Sequence, residues 1–448
     1  MPGRGPPGPR EARPFRRRHD GDAAFEPSLV LADDRAGVGA WPYYGGMAPP
    51  PPDRARDLLA RPDFLKLWLV GAFANAMRWL ELLASGLFAY QVTESAFAVA
   101  AVVAARQLPQ LLFGALAGAI AEAVNRRTIL LVALILPAAI SATIAVLAVT
   151  EALQLWQIAL ANFACGTLWA SEMSTRRRMV GESAGADRVG QAIALDSTTS
   201  AGTRLAGPLL GGIAFEWLGM ASAYTLTAAV QALCAVAVLT LAYRQRTAPI
   251  ALAQLPRDIA EGLAFARTQP DIMLVFAITV VMNAFAFSYT GLVAPLGQGE
   301  FGVSPALVGV LAAAEPLGAL LGGVLLATGR VRPDGRRAFV GGTFLFMVAL
   351  LALAASPGFA LAFAALALGG LGTAGFGNMQ STLVLTGAPP HLRSRLMGVV
   401  TVCIGTGPLG VLVAGALAEA VGTRTAIATM AGLGIVLTAA AVRRYRRP

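Results

Sequence analysis

Residues 106–131 read RQLPQLLFGALAGAIAEAVNRRTILL. An apolar run with Gly114 and Gly118 four positions apart ends in a short polar turn, residues 122–127, and a second apolar run begins directly after it. Small residues at this spacing let two helices approach closely inside a lipid bilayer, and arginines in the turn favour the cytoplasmic side. The stretch therefore predicts a membrane hairpin of two α-helices with a cytoplasmic turn.

The whole chain has the composition of a membrane protein. Of its 448 residues, 56% are hydrophobic and 13% are charged, whereas about 25% of the residues in soluble domains are charged. The net charge of +10 would suggest nucleic acid binding in a soluble protein, but the arginines lie between apolar runs, so the bilayer is the expected partner and nucleic acid is not. The three cysteines lie inside apolar runs without C-x-x-C spacing, so we expect neither a disulfide nor a metal site.

Twelve apolar runs are long enough to cross a bilayer. The first six are 64–90, 97–121, 128–149, 153–175, 189–215 and 221–243, and the second six are 272–296, 305–328, 338–355, 359–385, 396–418 and 425–442. One set of alternate loops, together with the C-terminus, holds twenty arginines, and the other set holds only Arg424. This asymmetry predicts that both termini are cytoplasmic. The expected fold is an all-α integral membrane protein with twelve transmembrane helices in two six-helix bundles.

The spans divide the chain into four predicted regions. These are a disordered, Pro- and Arg-rich cytoplasmic tail (1–60), an N-terminal six-helix bundle (61–243), a cytoplasmic linker (244–271), and a C-terminal six-helix bundle with a short basic tail (272–448). In the linker, Ile259, Leu263 and Ala266 share one helical face, which predicts an amphipathic helix along the membrane surface. An alternative for the tail is that translation starts near Met47 rather than at Met1.

The turn of the opening stretch resembles a known family. Residues 118–127 read GAIAEAVNRR, which resembles the G-x-L-A-D-R-x-G-R-R loop between helices 2 and 3 of major facilitator superfamily transporters. This chain departs from the family loop at three positions. Glu122 replaces the aspartate, an alanine replaces the first arginine, and an asparagine replaces the second glycine. The resemblance implies two six-helix bundles with a substrate site between them near the bilayer midplane. It also implies a gating role for Gly118, Glu122, Arg126 and Arg127.

Span 5 carries a second resemblance. The run Gly207-Pro208-Leu-Leu-Gly211-Gly212 is similar to the G-P-x-x-G-G ending of a motif found in drug and proton antiporters of this superfamily. Proline removes a backbone hydrogen bond and the glycines admit close packing, so the run is expected to form a bend that seals one end of the pathway. The alternative is a packing kink without directional meaning. Residues 61–68, 91–97 and 108–109 look like the branch that includes bacterial siderophore and macrolide exporters.

Ionisable residues inside the spans are few, and each costs about 2.5–3.5 kcal/mol on the insertion scale, so each needs a cavity, a partner or a function. Arg78 and Glu81 are three residues apart in span 1, and Glu172 and Arg176 are four apart in span 4, which predicts two pairs within single helices. The alternative for both carboxylates is proton exchange during transport. Asp196, near the cytoplasmic end of span 5, is expected either to exchange protons or to face water.

Glu315 is the strongest candidate for proton coupling. It lies at about mid-depth, has no charged neighbour in the sequence and precedes Pro316. The alternative is a buried pair with Arg106 or Arg204 across the two halves. Arg106 also lies near mid-depth, where a substrate anion or a carboxylate must match its charge. The proton-coupling candidates are therefore Glu315, Glu81, Asp196 and Glu172, and the candidates for substrate binding or charge pairing are Arg106, Arg204, Arg78, Asn283, Asn378 and Gln380.

The motifs exclude several other activities. There is no G-x-x-x-x-G-K-[ST] run, and the two histidines, His19 and His391, lie outside the spans, so we expect no ATP-driven step, no metal, no cofactor and no enzymatic activity. The expected function is proton-coupled export of a small, partly apolar compound, such as a drug or siderophore, by a monomer in the inner membrane of a bacterium. The alternatives are an importer or facilitator of a metabolite or anion, and a membrane sensor without transport.

Overall fold

The computed structural model describes residues 58–242, 255–328 and 334–445, and all secondary structure within these ranges is helical. The thirteen α-helices of the described ranges, in chain order, are α1 Pro62–Thr93, α2 Ala96–Ala123, α3 Arg126–Val149, α4 Leu155–Ala184, α5 Val189–Leu239, α6 Leu255–Arg267, α7 Pro270–Val281, α8 Pro305–Ala327, α9 Gly335–Ala355, α10 Phe359–Gly387, α11 Arg393–Ile404, α12 Gly407–Val421 and α13 Thr423–Arg444. The all-α membrane fold is confirmed. The predicted tail, residues 1–57 in particular, lies outside the described ranges.

Nine helices in the described ranges are long and apolar enough to cross a membrane by themselves. One of them, α5, has 51 residues and contains a break at Gly219, whose φ of 75° lies in the left-handed region that favours glycine. It therefore covers both predicted spans 5 and 6. Helices α1 and α4, of 32 and 30 residues, cover predicted spans 1 and 4. Most predicted spans thus coincide with a long helix, predicted span 11 covers the two shorter helices α11 and α12, and the count of twelve stays a prediction.

The seventh predicted span is irregular. Helix α7 ends at Val281, and residues 282–300 continue mainly in π and 3₁₀ turns. Irregular backbone at membrane depth is tolerated where protein or a cavity covers it. The segment lies at the wall of the cavity described below. The linker contains the predicted helix as α6, with Ala266 fully buried on its apolar face; its position along the membrane surface and the four domain boundaries stay predictions.

Arginine side chains bind backbone carbonyls at both ends of the helical assembly. At one end, here called the basic end, Arg61 donates to the carbonyl of Ala184 at 2.6 Å, and Arg127 donates to the carbonyls of Val238 and Leu239. At the other end, here called the far end, Arg424 donates to Glu300 at 3.1 Å and to a carbonyl in the loop before α10. Arginine side chains therefore cap the carboxyl ends of helices where the helix dipole is negative.

Candidate functional site

A cavity of about 370 Å³ lies between the N-terminal half, α1–α5, and the C-terminal half, α7–α13. Small-molecule sites typically have volumes of about 300–1,000 Å³. Most of the wall is apolar or aromatic, with Trp79 and Trp169 on the N-terminal side and Phe287 and Tyr289 on the C-terminal side. The charged lining residues among those described are Arg78, Arg106, Arg204 and Glu315. This composition fits a partly apolar ligand.

Glu315 joins the two halves across the cavity. Its carboxylate is 1% exposed and accepts a charge-assisted hydrogen bond from Arg204 of α5. Thr373 of α10 donates to its other oxygen at 2.6 Å. The alternative that pairs Glu315 with Arg204 across the halves therefore describes this conformation. Arg204 keeps 35% of its side chain exposed and lies 5.8 Å from the ring centre of Trp79.

The predicted Arg78–Glu81 pair within α1 is wrong. Arg78 instead forms an ion pair with Glu172 of α4, and Glu81 accepts from Arg106 of α2 at 3.2 Å and from Ser141 of α3 at 2.5 Å. Spacing of three residues brings side chains near each other on one helix, but buried charges need the partners with the best hydrogen-bond geometry. Those partners lie on neighbouring helices.

The predicted Glu172–Arg176 pair is present at 3.7 Å, but it is not the main contact of Arg176. Arg176 lies 2.5 Å from Asp196 of α5. Asp196 is 2% exposed, so the expectation that it faces water is wrong. Arg177 lies 3.9 Å from the same carboxylate. The N-terminal half therefore contains a continuous chain of buried charges that runs from the cavity toward the basic end.

The uncharged candidates lie in different places. Asn283 lines the cavity, and its amide donates to the carbonyl of Thr279 at 2.9 Å. Gln380 is buried inside the C-terminal half and donates to the hydroxyl of Thr279 at 2.8 Å. Asn378 is exposed. Neither Gln380 nor Asn378 lines the cavity, so only Asn283 of this group is placed to touch a ligand in this conformation.

The gating candidates of the opening stretch form contacts at the basic end. The Nη1 of Arg126 donates to both carboxylate oxygens of Glu182 of α4 at 2.6 and 2.7 Å, and the side chain of Asn125 accepts from the backbone of Arg127 at 2.9 Å. The side chains at positions 118 and 122 lie outside the described residues. Sequence spacing could not predict Glu182 as the partner of Arg126, because Glu182 lies on a different helix, α4.

The glycines of span 5 contact two different neighbouring helices, α1 and α8. A Cβ at Gly211 would lie 3.0 Å from the backbone of Leu80 in α1, and a Cβ at Gly212 would lie 3.0 Å from Gly309 of α8. Gly207 contacts α1 near Trp79. The run therefore lets α5 approach α1 on one face and the opposite half on the other. Pro208 lines the cavity just below this crossing. The sealing role of the run stays a prediction.

Two carboxylates join the halves at the far end in the same manner. Glu419 of α12 accepts from the hydroxyl of Ser95 at 2.9 Å and from the N–H of the second residue of α2 at 3.3 Å. Glu216 of α5 accepts from the N–H of the second residue of α8 at 2.8 Å and from the side chain of Ser304. Each carboxylate thus lies at the positive end of a helix dipole in the other half. Sequence reasoning missed both, although a serine directly before α2 and α8 is a recognisable helix start.

A chain of membrane-spanning helices with a ligand-sized, largely apolar cavity between two halves defines a multi-pass membrane transporter. This chain belongs to the transmembrane secretion effector family of the major facilitator superfamily, whose profile matches residues 58–448. The resemblance found in the sequence is therefore confirmed. The family and the structural neighbours are transporters rather than enzymes.

One similar protein is the multidrug efflux pump Tap of Mycolicibacterium fortuitum, 25% identical over 381 residues that cover 81% of this chain and 90% of Tap. Two similar solved structures support the fold. A POT family transporter in complex with 5-aminolevulinic acid has a TM-score of 0.68 at 12% identity, covering 86% of this chain and 96% of its own. A bacterial homolog of the human lysosomal transporter Spinster, inward-facing and unoccupied, has a TM-score of 0.68 at 15% identity, covering 86% and 98%.

Proposed function

We propose that this transporter exports a small, partly apolar compound, such as a drug or siderophore, in exchange for protons. The family description and the similarity to a multidrug efflux pump support export. The observation that carries the proposal is the ion pair between Arg204 and Glu315, because it lies on the cavity wall and links the halves that must move apart in alternating access.

The ion pair between Arg204 and Glu315 couples the protonation of Glu315 to the conformation of the transporter. With Glu315 ionised, its bond to Arg204 holds α5 and α8 together at mid-depth. When the far end opens, α5 and α8 separate, and the buried carboxylate loses its partner. Without the guanidinium beside it, the carboxylate holds a proton more readily, so Glu315 takes a proton from the far side. The proton leaves on the return stroke, when Arg204 pairs with Glu315 again.

The positions of the open and closed regions favour loading from the basic end. The halves are joined at the far end through Gly212, Glu216 and Glu419. The cavity continues toward the basic end into a second pocket of about 250 Å³ that shares Arg78 and Arg204 with it. We propose that the basic end is cytoplasmic and that the membrane is the inner membrane of a bacterium, in which the protein acts as a monomer.

Everted membrane vesicles test the proposal. The lumen is acidified by respiration and the pH gradient is followed by a quenched dye while candidate compounds from a growth screen are added outside. A compound exchanged for protons dissipates the gradient in proportion to the amount of protein. If no compound that protects growing cells does so, exchange for protons is wrong.

The competing function is uptake of an anion together with protons, and three arginines on the cavity wall favour it. If the anion replaces Glu315 at Arg204, the freed carboxylate binds a proton more tightly, so anion and proton bind together. Such a symporter does not dissipate the vesicle gradient when the anion is added outside, and whole cells accumulate the anion. A sensor without transport shows neither result.

The proposed orientation of the protein in the membrane is tested separately. Reporter fusions after Ala48 and after Arg443 are both expected to behave as cytoplasmic, because the arginine-rich loops and both termini share one side. A periplasmic signal from either fusion contradicts the proposed topology.

A further inference from the structure

The second pocket, here called the vestibule, lies between the cavity and the basic end. It shares Arg78, Trp79, Trp169 and Arg204 with the cavity, so the two are continuous. Farther from the cavity it is lined by Arg176, Arg177 and Glu172, among others. The vestibule therefore presents four arginines and one carboxylate to a compound that enters from the basic end.

The carboxylates that balance these arginines lie behind them. The side chains of Glu172 and Glu315 are 4% and 1% exposed. Three of the four vestibule arginines are more exposed, with Arg78 at 14%, Arg204 at 35% and Arg177 at 43%, whereas Arg176 is 6% exposed. A compound in the vestibule or the cavity consequently meets more guanidinium surface than carboxylate surface, although Glu172 and Glu315 are among the lining residues. Guanidinium groups bind carboxylate, sulfonate and phosphate groups through paired hydrogen bonds.

The ion pairs leave one positive charge in excess. Four buried carboxylates each have an arginine partner: Glu81, Glu172, Asp196 and Glu315. The fifth arginine of the network, Arg177, lies 3.9 Å from Asp196, but that carboxylate is already bound by Arg176 at 2.5 Å. Two arginines therefore share the Asp196 carboxylate, so these residues carry one more positive charge than they have carboxylates. A ligand with a single negative charge would compensate it.

The surroundings of the arginines are apolar. Arg78 lies 5.1 Å from the ring centre of Trp169, and Arg204 lies 5.8 Å from that of Trp79. Beyond the two indoles, the cavity wall of the C-terminal half contributes Phe287 and little charge. An acidic group at the arginines and an apolar body against the indoles and Phe287 would use both parts of this surface.

We propose that the exported compound is an amphipathic organic monoanion, whose acidic group binds at Arg177 and Arg78 and whose apolar body occupies the cavity. This inference rests on the proposed export function and names its substrate class. The potential of a bacterial membrane, negative inside, favours outward movement of an anion. Exchange of such an anion for an incoming proton is therefore driven by the potential as well as by the pH gradient.

Two fluorescent probes with one apolar body and opposite charge test the inference. Dansylglycine is a monoanion at pH 7, and dansylcadaverine is a monocation. Binding to the purified full-length protein is followed by dansyl fluorescence, and proton-driven uptake is followed in everted vesicles. We expect the protein to bind and take up the anion in preference to the cation.

Three variants locate the binding group. Arg177→Gln should weaken dansylglycine binding by roughly tenfold, the loss of one charge-assisted contact, and leave dansylcadaverine unaffected. Arg177→Lys keeps the charge and should recover most of the binding. Arg257→Gln is the control, because it removes the same charge from a side chain that is 82% exposed and does not line the vestibule.

The outcomes separate the two proposals. Selective anion binding that depends on Arg177, without proton-driven uptake, supports the substrate class and contradicts proton-coupled export. Proton-driven uptake of the cation in preference to the anion supports export and overturns the substrate class. Equal binding of both probes, binding of neither, or equal effects of Arg177→Gln and Arg257→Gln on anion binding also overturn the substrate class.

Discussion

The substitution Glu315→Gln removes the charge that links the halves and keeps the shape of the side chain. The amide oxygen of glutamine can still accept from Thr373, which donates to Glu315 at 2.6 Å. Arg204 loses its ionic partner, but 35% of its side chain is exposed, so water can replace part of the interaction. The variant therefore imitates the protonated acid without creating a fully buried, unpaired cation.

The size of the effect follows from the lost charge. A hydrogen bond to a charged group contributes about 1.5–3 kcal/mol and a neutral one about 0.5–1.5 kcal/mol. After discounting for the exposure of Arg204, the contact between α5 and α8 weakens by about 1 kcal/mol, which shifts the conformational equilibrium by roughly fivefold. Exchange of substrate across the membrane should stay within this factor of the wild-type rate. Accumulation driven by a proton gradient should disappear, because no proton is bound and released.

The assay compares two fluxes in proteoliposomes that contain equal amounts of protein. Exchange of labelled for unlabelled substrate reports alternating access, and accumulation against a gradient under an imposed pH difference reports coupling. Glu151→Gln is the control, because Glu151 is exposed in the loop between α3 and α4. Accumulation by the Glu315→Gln variant at the wild-type level would refute the coupling role and leave Glu315 with a structural role only.

Three further predictions concern the gates and the buried network. Arg126→Ala should lower transport more than protein level, because it breaks the ion pair with Glu182 at 2.6 Å at the basic end. Normal flux at equal protein level, measured by uptake and immunoblot, would contradict this. Arg106→Ala should abolish transport and Arg106→Lys should reduce it in part, since lysine keeps the charge but loses the planar fork; full uptake in the alanine variant would leave Arg106 a structural residue. The double substitution Glu216→Gln and Glu419→Gln removes the two charged side chains that cap helices of the other half. Cysteines introduced near the far end should then react at least severalfold faster with a membrane-impermeant thiol reagent. Unchanged labelling would show that these contacts do not keep the far end closed.

The positions of the spans could be predicted because apolar length is a local property of the sequence. The 51-residue helix α5 was still predicted as two spans, since the polar residues around Gly219 interrupt the apolar pattern. The charge partners could not be predicted in the same way. Glu81 has an arginine three residues away in its own helix, yet it binds Arg106, which lies 25 residues away on α2. Residue spacing constrains neighbours on one helix but not the rotation of that helix against the next.

The candidate site could likewise be predicted only in part from the sequence. The sequence identified Glu315, Arg204 and Arg106 as costly charges at membrane depth, because the cost of burying a charge depends only on the residue type and its depth. It did not identify Trp79, Trp169 or the far-end caps, because an indole or a helix-end carboxylate in an apolar protein has no unusual local pattern.

By itself, the sequence determined the class of protein, the apolar helical segments and the small set of charges inside them. These follow from the free energy of transferring residues between water and lipid, which adds up along the chain. Only the tertiary structure decided which charges pair, which of them face the cavity and where the two halves contact each other. Those features depend on how helices from both halves rotate and cross, and at Gly212 and Gly309 that crossing brings together residues that are far apart in the chain.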